Sequence, residues 1–398
     1  MSVLRRTRVL HATDTLEVGG AERVAVDIVN SLDRRHHEPF FCATRGDGPL
    51  RDVLLPDVEV SILGRRATWD AAGMLRFARF VDARDIDVIH THGRGTLQFV
   101  ALCRRLGLIS TAHVYHDHYG HLHLDRRAST GLRSALHTVD DYLGVDGRLC
   151  TWAREDVGLP ASRVHLVRSG VDLTRFDGVE PIDLRAAFDL HGVEMVLVMV
   201  ANYRRQKDHP TVFRALAELD PAVRARLAVV TVGSTESEPG FFDRCWAMAQ
   251  DLGVTEQIRV AGGRDDTLRL MAGADAGLLA SKNETGPLVV LEYMASGIPF
   301  IATDTGEITR AVAGLPIGAT PPPRDAHQLA AALHELLDAG PAERAAMGAR
   351  GRQVAADLFD QRQVTRQIEQ IYHQILTKTP ATPRPDHASL TPAGRFDR

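Results

Sequence analysis

The sequence is short of cysteine, long apolar runs and net charge, and each shortage removes a class of protein. Its four cysteines, Cys42, Cys103, Cys150 and Cys245, are scattered through 398 residues with no C-x-x-C pair. That spacing suggests neither a zinc ribbon nor a disulfide framework and fits a reducing cytoplasm. The longest apolar runs, such as Met195 to Ala201, fall far short of the roughly 20 residues that span a bilayer. The start, MSVLRRTRVLHATD, has no apolar signal-peptide core. Lysine and arginine total 47 against 51 acidic residues, for a net charge of −4, so the basic stripe of a general nucleic-acid binder is missing. Nor is there a G-x-G-x-x-G, which argues against a dinucleotide oxidoreductase.

What remains is an ordinary globular composition, 44% hydrophobic and 25% charged, in a chain long enough for two domains. Short β-branched runs alternate with helix-compatible segments, the pattern of parallel sheets covered on both faces. Strands are predicted at Arg8–Thr13, Pro39–Thr44, Glu59–Leu63, Asp87–His92 and Ser110–Val114. A second series follows at Met195–Ala201, Leu227–Val232, Gln257–Ala261, Ala276–Ala280 and Phe300–Thr303. The stretch 172–190 reads as a linker between a first domain over 1–180 and a second over 190–355. Helices are predicted at Ala326–Leu337 and Gln361–Leu376; the segment 356–376 is expected to pack back on the first lobe, and the proline-rich 377–398 to be a disordered tail. The fold class is therefore α/β, with two doubly wound lobes facing across a cleft whose rims are strand-end loops, where ligands of such sheets sit.

Two stretches bring chemistry to those rims. In ASKNETGPLVVLEYMASGIPFIATDTGE, residues 280–307, a strand, a loop and a helix over about Pro287–Ser296 follow one another, with Pro287 at the helix start and Gly297 at its stop. Free amides around Gly286, Leu288 and Val289, with the helix dipole, make a seat for a phosphate or diphosphate. Glu284 and Glu292 flank it. Carboxylates are good acceptors for sugar hydroxyls, so the pair suggests phosphates between two polyols, the plan of a nucleotide sugar. Considered alone, such a pair is usually an exposed helix carboxylate and a dipole partner. The second stretch, VMVANYRRQKDHPTVFRALAEL, residues 198–219, gathers Arg204, Arg205 and Lys207 at a strand end, where cations neutralise a leaving diphosphate. A solvated basic loop is the plainer account of the two arginines.

Both stretches resemble the family-four retaining glycosyltransferases of the GT-B fold, whose pattern is two glutamates separated by seven residues. Glu284 and Glu292 have that separation, PLVVLEYMASGIPFIAT follows the family's wording, and ANYRRQKDHPTVFRAL resembles its phosphate-binding segment. The resemblance places Lys207 on the family lysine and puts Asn202 where an arginine is usual. HATDTLEVGGAERVAVDIVNSL resembles the first strand and glycine loop, with Gly19 and Gly20 near the donor, and SRVHLVRSGVDLTRF the interdomain segment, with Ser169 in place of asparagine. It further implies two Rossmann-like lobes and a nucleotide sugar held on the second by Glu284, Lys207 and Glu292. Neither a cofactor nor a metal is implied, and the leaving phosphate takes the acceptor's proton. A glycan, a lipid-linked glycan or a small molecule is the implied acceptor. An epimerase or phosphorylase on the same fold, or a non-catalytic nucleotide-sugar binder, are the rivals.

In the first lobe STAHVYHDHYGHLHLDRR, residues 110–127, is rich in histidine. His113, at the end of a predicted strand, matches the family's Thr-x-His and is expected to contact the transferred sugar or the reaction centre. His116, His118, His121 and His123 match no specific metal spacing and read as a polar acceptor loop. Asp85-Ile86-Asp87 precedes its strand, at the wrong end of a sheet for a metal site. Gly306 and Glu307 are placed on the nucleotide side, with Arg310 where the family has an acidic residue. Residues 75–84, LRFARFVDAR, offer arginines to an anionic membrane surface, although core packing with exposed arginines explains the same pattern. The expected location is cytoplasmic, at most peripheral to the membrane's inner face.

Overall fold

The computed structural model describes residues 5–120 and 127–378. His121, His123 and residues 379–398 of the expected tail lie outside the described residues. The first lobe is a seven-stranded sheet of β1 (Thr7–Thr15), β2 (His37–Gly46), β3 (Glu59–Ile62), β4 (Val88–His92), β5 (Ala112–Asp117), β6 (Asp141–Gly144) and β7 (Val164–Leu166), in the order β3-β2-β1-β4-β5-β6-β7. The second has six: β8 (Met195–Val200), β9 (Leu227–Val232), β10 (Ile258–Gly262), β11 (Ala276–Leu279), β12 (Phe300–Ala302) and β13 (Gly318–Ala319), in the order β10-β9-β8-β11-β12-β13. Every pairing is parallel. These are the two Rossmann-like lobes of the expected fold, and each reverses strand order once, between β1 and β4 and between β8 and β11.

The run MVLVMV shows why such strands are legible. Met195, Leu197 and Met199 pack into one helix-covered face, while Val196 and Val198 pack into the other. With both faces dry, no polar alternation survives, and each buried aliphatic side chain contributes about 1.5–3 kcal/mol. The helix Gln361–Lys378 returns to the first lobe. Its Val364, Ile368, Ile371, Tyr372 and Ile375 form one stripe against Val9, Val88 and Val114. The chain crosses between lobes beside the linker, where Val171 N donates to Phe359 O and Gln361 N to Val171 O.

Several predictions of detail are corrected. The strand expected at Ser110–Val114 runs over Ala112–Asp117, and β6 and β13 were not anticipated. The helix expected from Pro287 starts at Leu288, with Pro287 as its N-cap at ψ 92°. Helix Ala71–Ala83 buries Met74, Phe77, Ala78 and Val81, so packing explains its apolar positions. Among the described residues no helix is long and apolar enough to cross a membrane.

Candidate active site at the lobe interface

The site sits at the switch point of the second lobe, where the loops after β8 and β11 diverge. These loops are laced together: Lys282 N donates to Gln206 O at 2.8 Å, Gln206 Nε2 to Asn283 O at 2.9 Å, and Lys282 lies 3.4 Å from buried Asp208. Lys207 Nζ thereby meets Glu284 Oε1 at 2.6 Å, and Ser281 Oγ donates to the same oxygen at 2.8 Å. The pair is largely shielded, with side-chain exposures of 26% for Lys207 and 13% for Glu284. The next helix, Leu288–Ala295, begins without a side-chain cap, so its first amides, near Gly286, Leu288 and Val289, are not committed to one. A flexible ammonium, a carboxylate and a helix N-terminus thus share one loop system.

Glu292 occupies a different place. A turn and a half into that helix, it faces the first lobe, with Arg23 and Asp27 of helix Gly20–Ser31 and Arg175 of the linker as its charged neighbours. Burial pushes its carboxyl above the usual range, against the pull of Arg175 and Arg23. Gly19 caps the start of helix Gly20–Ser31 on the first-lobe side. Gly286 lies against Ser169, whose Oγ would be 3.3 Å from a Cβ added there.

Other residues stand elsewhere. Asn202 accepts from Ser234 N at 2.8 Å and so fastens its own loop. Arg205 is a surface residue paired with Glu238 at 2.7 Å, and Arg204 is exposed. His113 is corrected outright in position: it is the second residue of β5, at the strand's start, and points Nε2 at Thr91 Oγ1, 2.9 Å away. His118, directly after β5, meets the second lobe, its carbonyl accepting from Thr285 Oγ1 at 3.3 Å.

Sequence reasoning missed the cross-lobe seam. Glu307 accepts from Arg168 at 2.8 and 3.0 Å and from the Gly147 amide at 3.0 Å, while Arg310 reaches Asp146 at 2.8 Å. Asp146 is fully buried; burial pushes its carboxyl up, but Arg148 and Arg310 outweigh this and hold it below the usual range. Arg148 also donates to Glu284 O, and Asn283 Nδ2 to Gly120 O. The seam borders a cavity of about 650 Å³ lined by Gly120, Asp146, Arg148, Thr151, Arg154, Thr285, Glu307 and Arg310. It opens beside the Lys207–Glu284 pair, sharing Thr285 with that loop. The only sequence signal was Glu307 itself, with Arg310 where the family has an acidic residue; Asp146 and Arg148 follow β6, which the pattern did not reveal.

Two family models match this chain, Glycosyltransferase Family 4 over residues 18–175 and Glycosyl transferases group 1 over 183–354. The chain belongs to the family-four glycosyltransferases. It is 24% identical to N-acetyl-alpha-D-glucosaminyl L-malate synthase of Bacillus anthracis over 90% of this chain and 95% of that protein. It is 33% identical to D-inositol 3-phosphate glycosyltransferase of Mycobacterium sp. strain JLS, over 46% of this chain and 41% of that protein. Anabaena HepE, solved in complex with UDP, shares its fold with a TM-score of 0.77 at 19% identity, covering 92% of this chain and 100% of that one.

Proposed function

We propose that this glycosyltransferase moves a sugar, with retention at the anomeric carbon, from a nucleotide-diphosphate donor to a small anionic acceptor. The observation that carries the reading is the Lys207–Glu284 pair beside an uncapped helix N-terminus. With no donor bound, the ammonium is neutralised by the glutamate. A donor separates them: its diphosphate takes Lys207 and the helix amides, and its sugar hydroxyls take Glu284. Glu292 holds the ribose. Neither a metal ion nor a cofactor is assigned a step. As the anomeric C–O bond breaks, its electrons pass to the diphosphate, where Lys207 stabilises the growing charge. The acceptor oxygen bonds that carbon from the same face, and its proton passes to the departing phosphate oxygen. Closure of the seam keeps water out.

An anionic acceptor is supported by the arginines of the adjoining cavity. Arg148 and Arg310 are tied to Asp146, but Arg154 has no carboxylate partner among the described residues. The names of both curated relatives also contain a small anion, malate or inositol 3-phosphate. The test is a panel of nucleotide sugars against dicarboxylates, polyol phosphates and neutral glycans, following nucleoside diphosphate release and the product's anomeric configuration by NMR. Acceptor-dependent release with a retained configuration is expected for an anionic acceptor. Release indifferent to acceptor, or an inverted product, contradicts the proposal.

A further inference from the structure

Five histidines, His11, His90, His92, His116 and His118, line one face of the first lobe's sheet. The parallel register sets His11 beside His90 and His92 beside His116, and alternation along each strand adds His118. Their rings lie in contact, with centroids 4.4–5.4 Å apart. Four polar contacts form a chain: His90 Nδ1 to Tyr372 Oη at 2.6 Å, Tyr372 Oη to His11 Nε2 at 3.1 Å, His11 Nδ1 to His92 Nε2 at 3.1 Å, and His92 Nδ1 to His118 Nε2 at 3.2 Å.

Neutral imidazoles have one donor and one acceptor each, so this chain can run in either direction. In both directions His90 Nε2 is left over, and both nitrogens of His116 have no hydrogen-bond partner beyond a weak approach of the Val167 backbone. Buried polar atoms without partners each cost about 1–3 kcal/mol. Three such atoms in one cluster are expensive unless something binds them.

We propose that His11 Nδ1, His90 Nε2 and His92 Nε2 bind a divalent transition-metal ion of the zinc type, leaving its fourth position open and clamping the C-terminal helix to the first lobe through Tyr372. One ring nitrogen from each of His11, His90 and His92 lies within 4.8 Å of the other two. Tetrahedral zinc with bonds of about 2.0–2.1 Å places its nitrogens about 3.3 Å apart, and the His11–His92 pair stands at 3.1 Å. The protons fit as well. With these three lone pairs on the metal, His11 Nε2–H and His90 Nδ1–H both donate to the two lone pairs of Tyr372 Oη, and His92 Nδ1–H donates to His118. The contacts to Tyr372 and His118 are kept, the His11–His92 contact is replaced by two metal bonds, the orphaned His90 nitrogen is satisfied, and each ligand's second nitrogen is oriented as metal-bound imidazoles require. The ion's role is structural, and the site does not depend on the proposed reaction.

The test uses the full chain without an affinity tag. Metal analysis after gel filtration is expected to find one equivalent per chain, and the cobalt-substituted form to show the intense visible d–d bands of tetrahedral coordination. H90N/H92N should lose both, while H113N, on the other face of β5, keeps both. Y372F leaves all ligands in place and should bind metal 10- to 100-fold more weakly, so it decides the matter if the double variant fails to fold. Wild type that neither retains metal nor gains thermal stability with added zinc or cobalt overturns the proposal. So does metal retained equally by H90N/H92N, or unchanged affinity in Y372F.

Discussion

Replacing Lys207 by alanine separates the two roles the structure gives it. In the free protein its ammonium donates to Glu284 Oε1 at 2.6 Å, and the pair's exposures of 26% and 13% leave solvent only a modest share in screening it. Without Lys207, Glu284 keeps the Ser281 hydroxyl alone, so the variant should lose about 1–3 kcal/mol of stability, read by urea unfolding. The double variant K207A/E284A should recover part of this, giving a coupling energy of about 1 kcal/mol. Catalysis should suffer differently. An ammonium aimed at a departing diphosphate is worth about 10²–10³-fold in kcat, and that loss should persist in the double variant, because it concerns the transition state. Nucleoside diphosphate release at saturating donor is the assay. A folded K207A turning over within threefold of wild type would refute the reasoning, as would full rescue of kcat by E284A.

Gly306 is left-handed at φ +87°, and a Cβ there would lie 2.9 Å from Pro287 Cδ and Thr285 O, whereas Gly314, at φ +77°, has open space around it. G314A should cost about 1 kcal/mol of backbone strain, and G306A measurably more by denaturant titration, with loss of donor binding; equal costs would contradict the contact. Burial, aided by Arg104, pushes His113 down to about 3. The unfolded chain therefore binds more protons below pH 6.5, and stability falls as pH drops from 6.5 toward 3. In H113Q this dependence should be shallower by about 1.4 kcal/mol per pH unit between pH 6 and 4; identical slopes would argue against a buried neutral ring. Removing the Glu307 carboxylate in E307A breaks the cross-lobe bonds to Arg168 and Gly147. Small-angle scattering should then show a larger radius of gyration, with KM raised for the acceptor, and unchanged values for both would mean that the seam does not control closure.

The parallel lobes were legible because strands such as MVLVMV and LAVVTV are dry on both faces, which leaves continuous apolar runs in the sequence. DYLG of β6 is four residues long and GA of β13 only two, too short to display a period. The Glu284 loop was legible for a local reason: Pro287 and Gly297 bracket one helix. The pairing of Lys207 with Glu284 joins residues 77 apart and is fixed by hydrogen bonds between Gln206, Lys282 and Asn283 that no local pattern encodes. His113 was misplaced because a two-residue shift of β5 exchanges the strand's start for its end, where His118 stands. The histidine face was invisible for the same reason, since it depends on the register of three strands spread over more than a hundred residues.

Calorimetric titration with UDP, GDP and ADP tests the central claim most directly, because it asks whether the Lys207–Glu284 loop receives a nucleoside diphosphate. One of the three should bind the wild type with one-to-one stoichiometry. Its affinity should fall by roughly 10- to 100-fold in K207A, about the worth of a charge-assisted contact, and remain unchanged in R154A. Absence of binding by all three, or equal affinity in K207A, would contradict the account.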